Sequence, residues 1–250
     1  MNRKQAKPLK GKLPPDHEFA EVISEAYRVF ACEKPSEPGV CDCCMDRRIR
    51  EQFFESEIAE MFLHYLQDWY FGAIGVEFNQ HTWRYLLPRI LEVLASGETL
   101  AGVGIEVSLN RFPTGVEENW LEKEWSVLDR FQRMYLRWAA LSGEDDFDNV
   151  LCTFGIAGWP LASLFDQVLK LPPQVLAERF WNDWCQFPTP GVWVSSFWEH
   201  SQEQDVYAFY RSSVLYRMMA DLAFKDQTPP ELAERALAVA AVIEGEESWT

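Results

Sequence analysis

Apolar positions fall at helical intervals through most of this chain. Phe19, Val22, Ile23, Ala26, Val29 and Phe30 follow an i, i+3, i+4, i+7, i+10, i+11 course behind a Pro14-Pro15-Asp16 start signal, which predicts a first helix. Residues 33–45 hold two prolines, a glycine and a group of cysteines, and read as a loop. Ser56 is placed to cap a helix in which Ile58, Phe62, Tyr65, Leu66 and Trp69 share a face. Residues 79–96 carry the clearest pattern, with Trp83, Leu86, Leu87, Ile90, Leu91 and Leu94 in register. Pro88 lies inside that pattern and removes one backbone donor, so a bend is expected one turn earlier; Gly97 marks the stop.

Residues 99–112 are two-sided. Val103, Ile105, Val107 and Leu109 alternate like a strand, while Leu100, Val103 and Val107 also fit a helix. A lone strand would have nothing to pair with, so a helix is expected. A long helix over 117–141 should turn Leu121, Trp125, Leu128, Phe131, Tyr135 and Trp138 inward. Acidic residues at 144–148 open the next segment, where they suit a helix N-terminus. Two short helices over 150–157 and 161–169 hinge at Gly158-Trp159-Pro160, and Leu171-Pro172-Pro173 begins another containing Val175, Leu176, Phe180, Trp181 and Trp184. A Pro/Gly-rich stretch over 187–194 separates it from a stripe of Val206, Phe209, Tyr210, Val214, Met218 and Leu222. Thr228-Pro229-Pro230-Glu231 has the form of a capping box before a last helix through Leu232, Ala236, Val239, Ala240 and Ile243.

About ten one-faced helices with short connections make an all-α fold. Two arrangements satisfy it: an irregular, solenoid-like (HEAT-like) stack, or a compact helical domain. No strict sequence period supports a regular repeat family. The expected organisation is a flexible basic arm over 1–12 followed by a single helical domain over 13–250. At 250 residues, 48% hydrophobic and with 11 Trp, the chain has ample material for a core. No run approaches the length of a membrane span, and the basic N-terminus lacks an apolar signal region, so a cytoplasmic location is expected.

Charge changes the picture most. The chain holds 39 Asp and Glu against 23 Lys and Arg, a net of −16. Five of the basic residues lie in the first twelve positions, so the remainder carries 18 against 39, a net of −21. An acidic surface on patterned helices repels nucleic acid and suits a basic protein partner.

Candidate chemistry is sparse. Cys41 and Cys44 have the C-x-x-C spacing of a zinc grip, with Cys43 as a third ligand and Cys32, His17 or His200 as sources of a fourth. Reversible disulfide chemistry fits the same residues, and so does simple packing of small thiols beneath the loop. No second C-x-x-C follows. Gly102-Val103-Gly104 lacks the third glycine of a dinucleotide fingerprint, there is no G-x-S-x-G elbow, and His17, His64, His81 and His200 are scattered. No Glu-x-x-His pair supports a di-metal centre. Trp193, Trp198 and Trp249 lie in polar or loop settings; a core role is expected for the first two, an interface anchor being the alternative.

Cys41-Asp42-Cys43-Cys44, Tyr65 in its Leu-rich helix, Trp83-Arg-Tyr-Leu-Leu-Pro-Arg-Ile-Leu-Glu92, Leu128-Asp-Arg-Phe-Gln-Arg-Met-Tyr-Leu-Arg-Trp138 and Gly158-Trp-Pro-Leu-Ala-Ser-Leu164 together resemble a set of uncharacterised bacterial all-helical proteins. The resemblance covers most of residues 25–185. It implies a bacterial origin and helical architecture, including 99–112, and it carries no established catalytic motif. Taken with the charge, it leads to the expectation of a non-enzymatic protein-binding protein. The leading form is an immunity protein that neutralises a basic toxin through an acidic surface, without a cofactor. That surface would centre on Glu144, Asp145, Asp146 and Asp148, with Glu117, Glu118, Glu122 and Glu124 nearby in sequence. The second expectation is a zinc-binding or redox-responsive protein centred on Cys41–Cys44.

Overall fold

The computed structural model describes residues 10–41, 43–73, 79–143 and 145–245. Among them the fold is all-α, with eleven α-helices, a few short turns of other helical type and no strand. Among the described residues no helix is long and apolar enough to cross a membrane. Internal packing divides the chain between Gln132 and Arg133 into two compact units.

The first unit holds α1 (Ala20–Val29), α2 (Arg47–Gln52), α3 (Leu63–Gly72), α4 (Gln80–Ala95) and the first half of α5 (Glu122–Ser142). α1 buries Val22, Ile23, Ala26 and Val29, as its stripe predicts, and packs on α4. α4 is the axis of the unit: from Thr82 to Ala95 every residue except Arg84 is buried. Asn79 caps it by accepting from the backbone N–H groups of His81 (3.0 Å) and Thr82 (3.2 Å). Its far end closes at Gly97, whose φ of +75° is the left-handed conformation glycine adopts without penalty. There Gly97 N–H donates to Leu94 O and Glu98 N–H to Val93 O, satisfying two terminal carbonyls. The helix runs on through Pro88.

Burial on all sides takes in charged groups too. Arg89 is fully buried, and its guanidinium donates to Met61 O (3.1 Å), Lys10 O (2.9 Å), Gly11 O and the Glu92 carboxylate (3.0 Å). Glu92 in turn accepts from Tyr27 Oη (2.6 Å) and pairs with Lys12 (3.3 Å). The basic arm expected over 1–12 therefore does not extend to residues 10–12, which are tied to α4; residues 1–9 lie outside the described residues.

Two further expectations change in this unit, and one helix is additional. The helix anticipated from Ser56 begins only at Leu63, after a single 3-10 turn at Ile58–Glu60; it buries Leu63, Leu66, Trp69 and Tyr70 and leaves Phe62 exposed. A short helix, α2, follows the cysteine loop, capped by the Asp46 carboxylate on the Arg48 and Ile49 N–H groups. Residues 99–112 are irregular apart from a 3-10 turn at Glu106–Leu109. Gly104, at φ +146°, breaks any helical course there. Side chains satisfy the segment instead: Tyr70 Oη donates to Val107 O, Arg111 to Tyr70 O (3.2 Å) and Thr114 Oγ1 to Leu109 O (2.8 Å).

The second unit holds the rest of α5, then α6 (Phe147–Gly155), α7 (Leu161–Leu169), α8 (Pro173–Phe180), α9 (His200–Tyr210), α10 (Ser213–Ala223) and α11 (Pro230–Gly245). α6 and α7 hinge at Gly158, φ +108°, where the sequence placed the break. α8 starts with Pro173 in its first turn and widens into a π turn at Trp181–Cys185. α11 packs on α8 and α10, and α7 on α6 and α9. The single stripe expected over 206–222 is two helices. Ser212 interrupts it by accepting from Leu215 N–H (3.3 Å), and the buried face becomes Leu215, Met219 and Leu222 while Val214 turns outward. The Thr228 hydroxyl, read as a helix cap, donates to Leu222 O (2.7 Å). At the centre, Phe180 stacks on Trp184 with centroids 4.1 Å apart, and Tyr210 meets both rings edge-on.

Candidate functional site

The richest site lies where α6 begins, in the second unit. Asp148 is buried in its first turn and accepts three hydrogen bonds, from Ser195 N–H (2.6 Å), Trp198 Nε1 (2.9 Å) and Tyr210 Oη (2.8 Å). It anchors the 187–198 segment and α9 to α6. Burial, and then the Asp148 charge, push the Tyr210 hydroxyl well above its ordinary pKa, so it remains a donor.

One wall away sits Asp183, on the π turn after α8. Its carboxylate accepts from Phe147 N–H (3.1 Å), the first helical donor of α6, and faces Arg179 at 3.5 Å. Asp146, at the N-cap position, makes no side-chain cap bond, so Asp183 supplies that acceptor from another element. Burial raises the Asp183 carboxyl to about 6, and the Arg179 charge offsets only part of that rise. Arg179 is itself buried and also donates to Asp145 O.

Asp146 and Asp183 line a cavity of about 280 Å³ together with Phe187 and Trp193. The two rings stand 6.0 Å apart at 56° and remain 50% and 55% exposed. The core role expected for Trp193 is thus overturned, whereas Trp198 is buried as expected. Trp193 stays outside because its neighbour Val192 takes the inward position and Ser195 is fixed to Asp148. Trp249 lies outside the described residues.

The acidic residues proposed from the sequence divide. Asp146 is exposed and Asp145 half-buried, Glu144 lies outside the described residues, and Asp148 is an internal acceptor rather than a surface charge. In the first unit Glu117, Glu118 and Glu122 are exposed. Glu124 is buried, accepting from Leu121 N–H (3.0 Å) and holding Arg84 (2.8 Å from Nε to Oε1). Glu118 lines an open cleft beside that Arg84–Glu124 pair, so its setting is mixed in charge.

The cysteine loop of the first unit brings three thiols together. Cys41, Cys43 and Cys44 place their sulfurs within 4.8 Å of one another, with 2.8 Å between Cys41 and Cys43 and 3.6 Å between Cys43 and Cys44. Cys32 is not in this group; it sits near Arg84 and Glu124, and burial raises its pKa. Hydrogen bonds from Cys43 and then Cys44 lower Cys41 to about 7, and donation to Cys41 and then Cys43 raises Cys44 to about 11. Cys43 and Cys44 are exposed, which overturns packing of the loop as their role.

Asp183 and Phe187 were missed in the sequence. Asp183 lies within an apolar run and Phe187 heads a Pro-rich loop; only folding brings them beside Asp146. The i, i+4 spacing of Arg179 and Asp183 was the one signal available. No protein-family model, curated protein or solved structure matches the chain.

Proposed function

We propose that this protein acts by binding another protein, a basic one, without catalysing a reaction, as an immunity protein of a bacterial cell binds its toxin. The observation that carries the reading is the cleft of the second unit, where the half-exposed rings of Trp193 and Phe187 flank the carboxylates of Asp146 and Asp183. Tryptophan is enriched among the residues that anchor protein interfaces. Aromatic faces beside carboxylates suit an arginine or lysine, whose cation is attracted by both. The net charge of −16 adds long-range steering of a basic partner.

The test is affinity capture from cells of the source with the wild-type chain and with Trp193→Ala, followed by association kinetics with the purified partner. A basic partner should be enriched by the wild type and lost with the variant. Its association rate should fall by about tenfold or more as salt is raised. A neutral or acidic partner, or binding indifferent to position 193, would refute the reading.

A further inference from the structure

We propose that Cys41, Cys43 and Cys44 form a three-thiolate site for one zinc ion, with the fourth coordination position open to an external ligand. This stands independently of the protein-binding reading, which concerns the other unit.

The geometry of the loop leads there. A tetrahedral zinc with Zn–S bonds of about 2.3 Å places its sulfurs about 3.8 Å apart. The Cys43–Cys44 separation of 3.6 Å is close to that value, and all three sulfurs fall within 4.8 Å. Cys41 and Cys43, at 2.8 Å, need only open by about 1 Å through side-chain rotation.

The backbone beneath is held at both ends. Cys41 N–H donates to Gly72 O (3.0 Å) at the end of α3, and Cys44 N–H donates to Cys41 O (3.2 Å), closing a turn. Val40 and Met45 are buried on either side, and both press on Gly72, where an added Cβ would lie 3.3 Å from each of their Cβ atoms. Asp46 then caps α2. The segment that offers the sulfurs is thus fixed at its ends and exposed at its tip.

Chemistry favours a metal over the other uses of three thiols. Packing does not employ Cys43 or Cys44, which face solvent. A disulfide would use two sulfurs and leave the third unexplained, whereas zinc uses all three. Three thiolates on Zn²⁺ leave one net negative charge, and Arg48 follows close in sequence with the opposite charge, while Arg47 pairs with Glu51 (2.8 Å). Zinc binds thiolates, so loading displaces the thiol protons that remain as the sulfurs bind the metal.

The experiment uses the full chain, reduced and freed of metal. It is titrated with Co²⁺ as the spectroscopic probe and then with Zn²⁺ in competition. One equivalent of Co²⁺ should give a near-ultraviolet thiolate-to-metal band and the visible bands of a four-coordinate ion, and Zn²⁺ should bleach both. Cys43→Ser and Cys44→Ser, each at an exposed position, should weaken zinc by more than the roughly 10–100-fold typical of losing an outer-shell partner. Cys32→Ser should bind as the wild type does. No thiolate band from the reduced wild type, or undiminished affinity in the serine variants, would overturn the site.

Discussion

Replacing Asp183 by Asn should change how stability responds to pH. The carboxyl is raised from its ordinary value of 3.8 to about 6, first by burial, with Arg179 pulling the other way. A raised carboxyl means that the folded state holds its proton more tightly than the unfolded state. Below about pH 4 both states are protonated and the group contributes nothing. Between about pH 4 and 6 the unfolded chain ionises first, so the folded state loses stability as pH rises; above about 6 the penalty is complete. Two pK units at about 1.4 kcal/mol each set its size at about 3 kcal/mol, and the side chain, 12% exposed, is screened little by solvent. Asn keeps an oxygen for Phe147 N–H and cannot ionise. The stability of Asp183→Asn relative to wild type should therefore climb by about 2–3 kcal/mol from pH 4 to pH 7, measured by urea unfolding. The Arg179 attraction acts only on the ionised carboxylate and is already contained in the value of about 6, so its loss adds no further slope. A flat difference, or one that falls as pH rises, would refute the reasoning.

Other substitutions give distinct outcomes. Asp148→Ala strands three donors, those of Ser195, Trp198 and Tyr210, and should cost about 3–5 kcal/mol in denaturant unfolding; a loss below about 1 kcal/mol would contradict the network. Gly155→Ala would set a Cβ 2.2 Å from Cζ3 of Trp198, a ring held by Asp148, and should cost about 3 kcal/mol, read as a lowered Tm. Trp193→Ala, at a half-exposed ring, should leave stability within about 0.5 kcal/mol of wild type, and a larger loss would make it a core residue after all. Gly72→Ala sets its methyl 3.3 Å from the Cβ atoms of Val40 and Met45, so it should fall short of the roughly 1 kcal/mol that alanine ordinarily gains over glycine in a helix; the full gain in unfolding would show that the cysteine loop is not seated on α3.

Much of the helical framework was legible in the chain. α1, α4, α6, α7, α8 and α11 stand close to where period and breakers placed them, because each carries a one-sided stripe between strong stop signals. The readings that failed share a cause. At 99–112 apolar spacing allowed a helix, but Gly104 and the side chains of Tyr70 and Thr114 gave the backbone another way to satisfy its polar groups. Over 206–222 a continuous stripe concealed the break at Ser212, whose hydroxyl competes with the helix for a backbone donor.

By itself, then, the sequence determined the all-α class, the surplus of acid and the clustering of three cysteines in one loop, since local spacing and composition carry all three. It did not determine what each polar group does. Asp146 and Asp148 are two residues apart, yet one is exposed and the other holds three buried donors. Trp193 and Trp198 belong to one loop, yet one faces solvent and the other the core. Only tertiary packing decides such roles. The partners of Asp148 come from 47 to 62 positions away in the chain, and burial, which converts a carboxylate from surface charge to structural acceptor, is a property of the assembled fold.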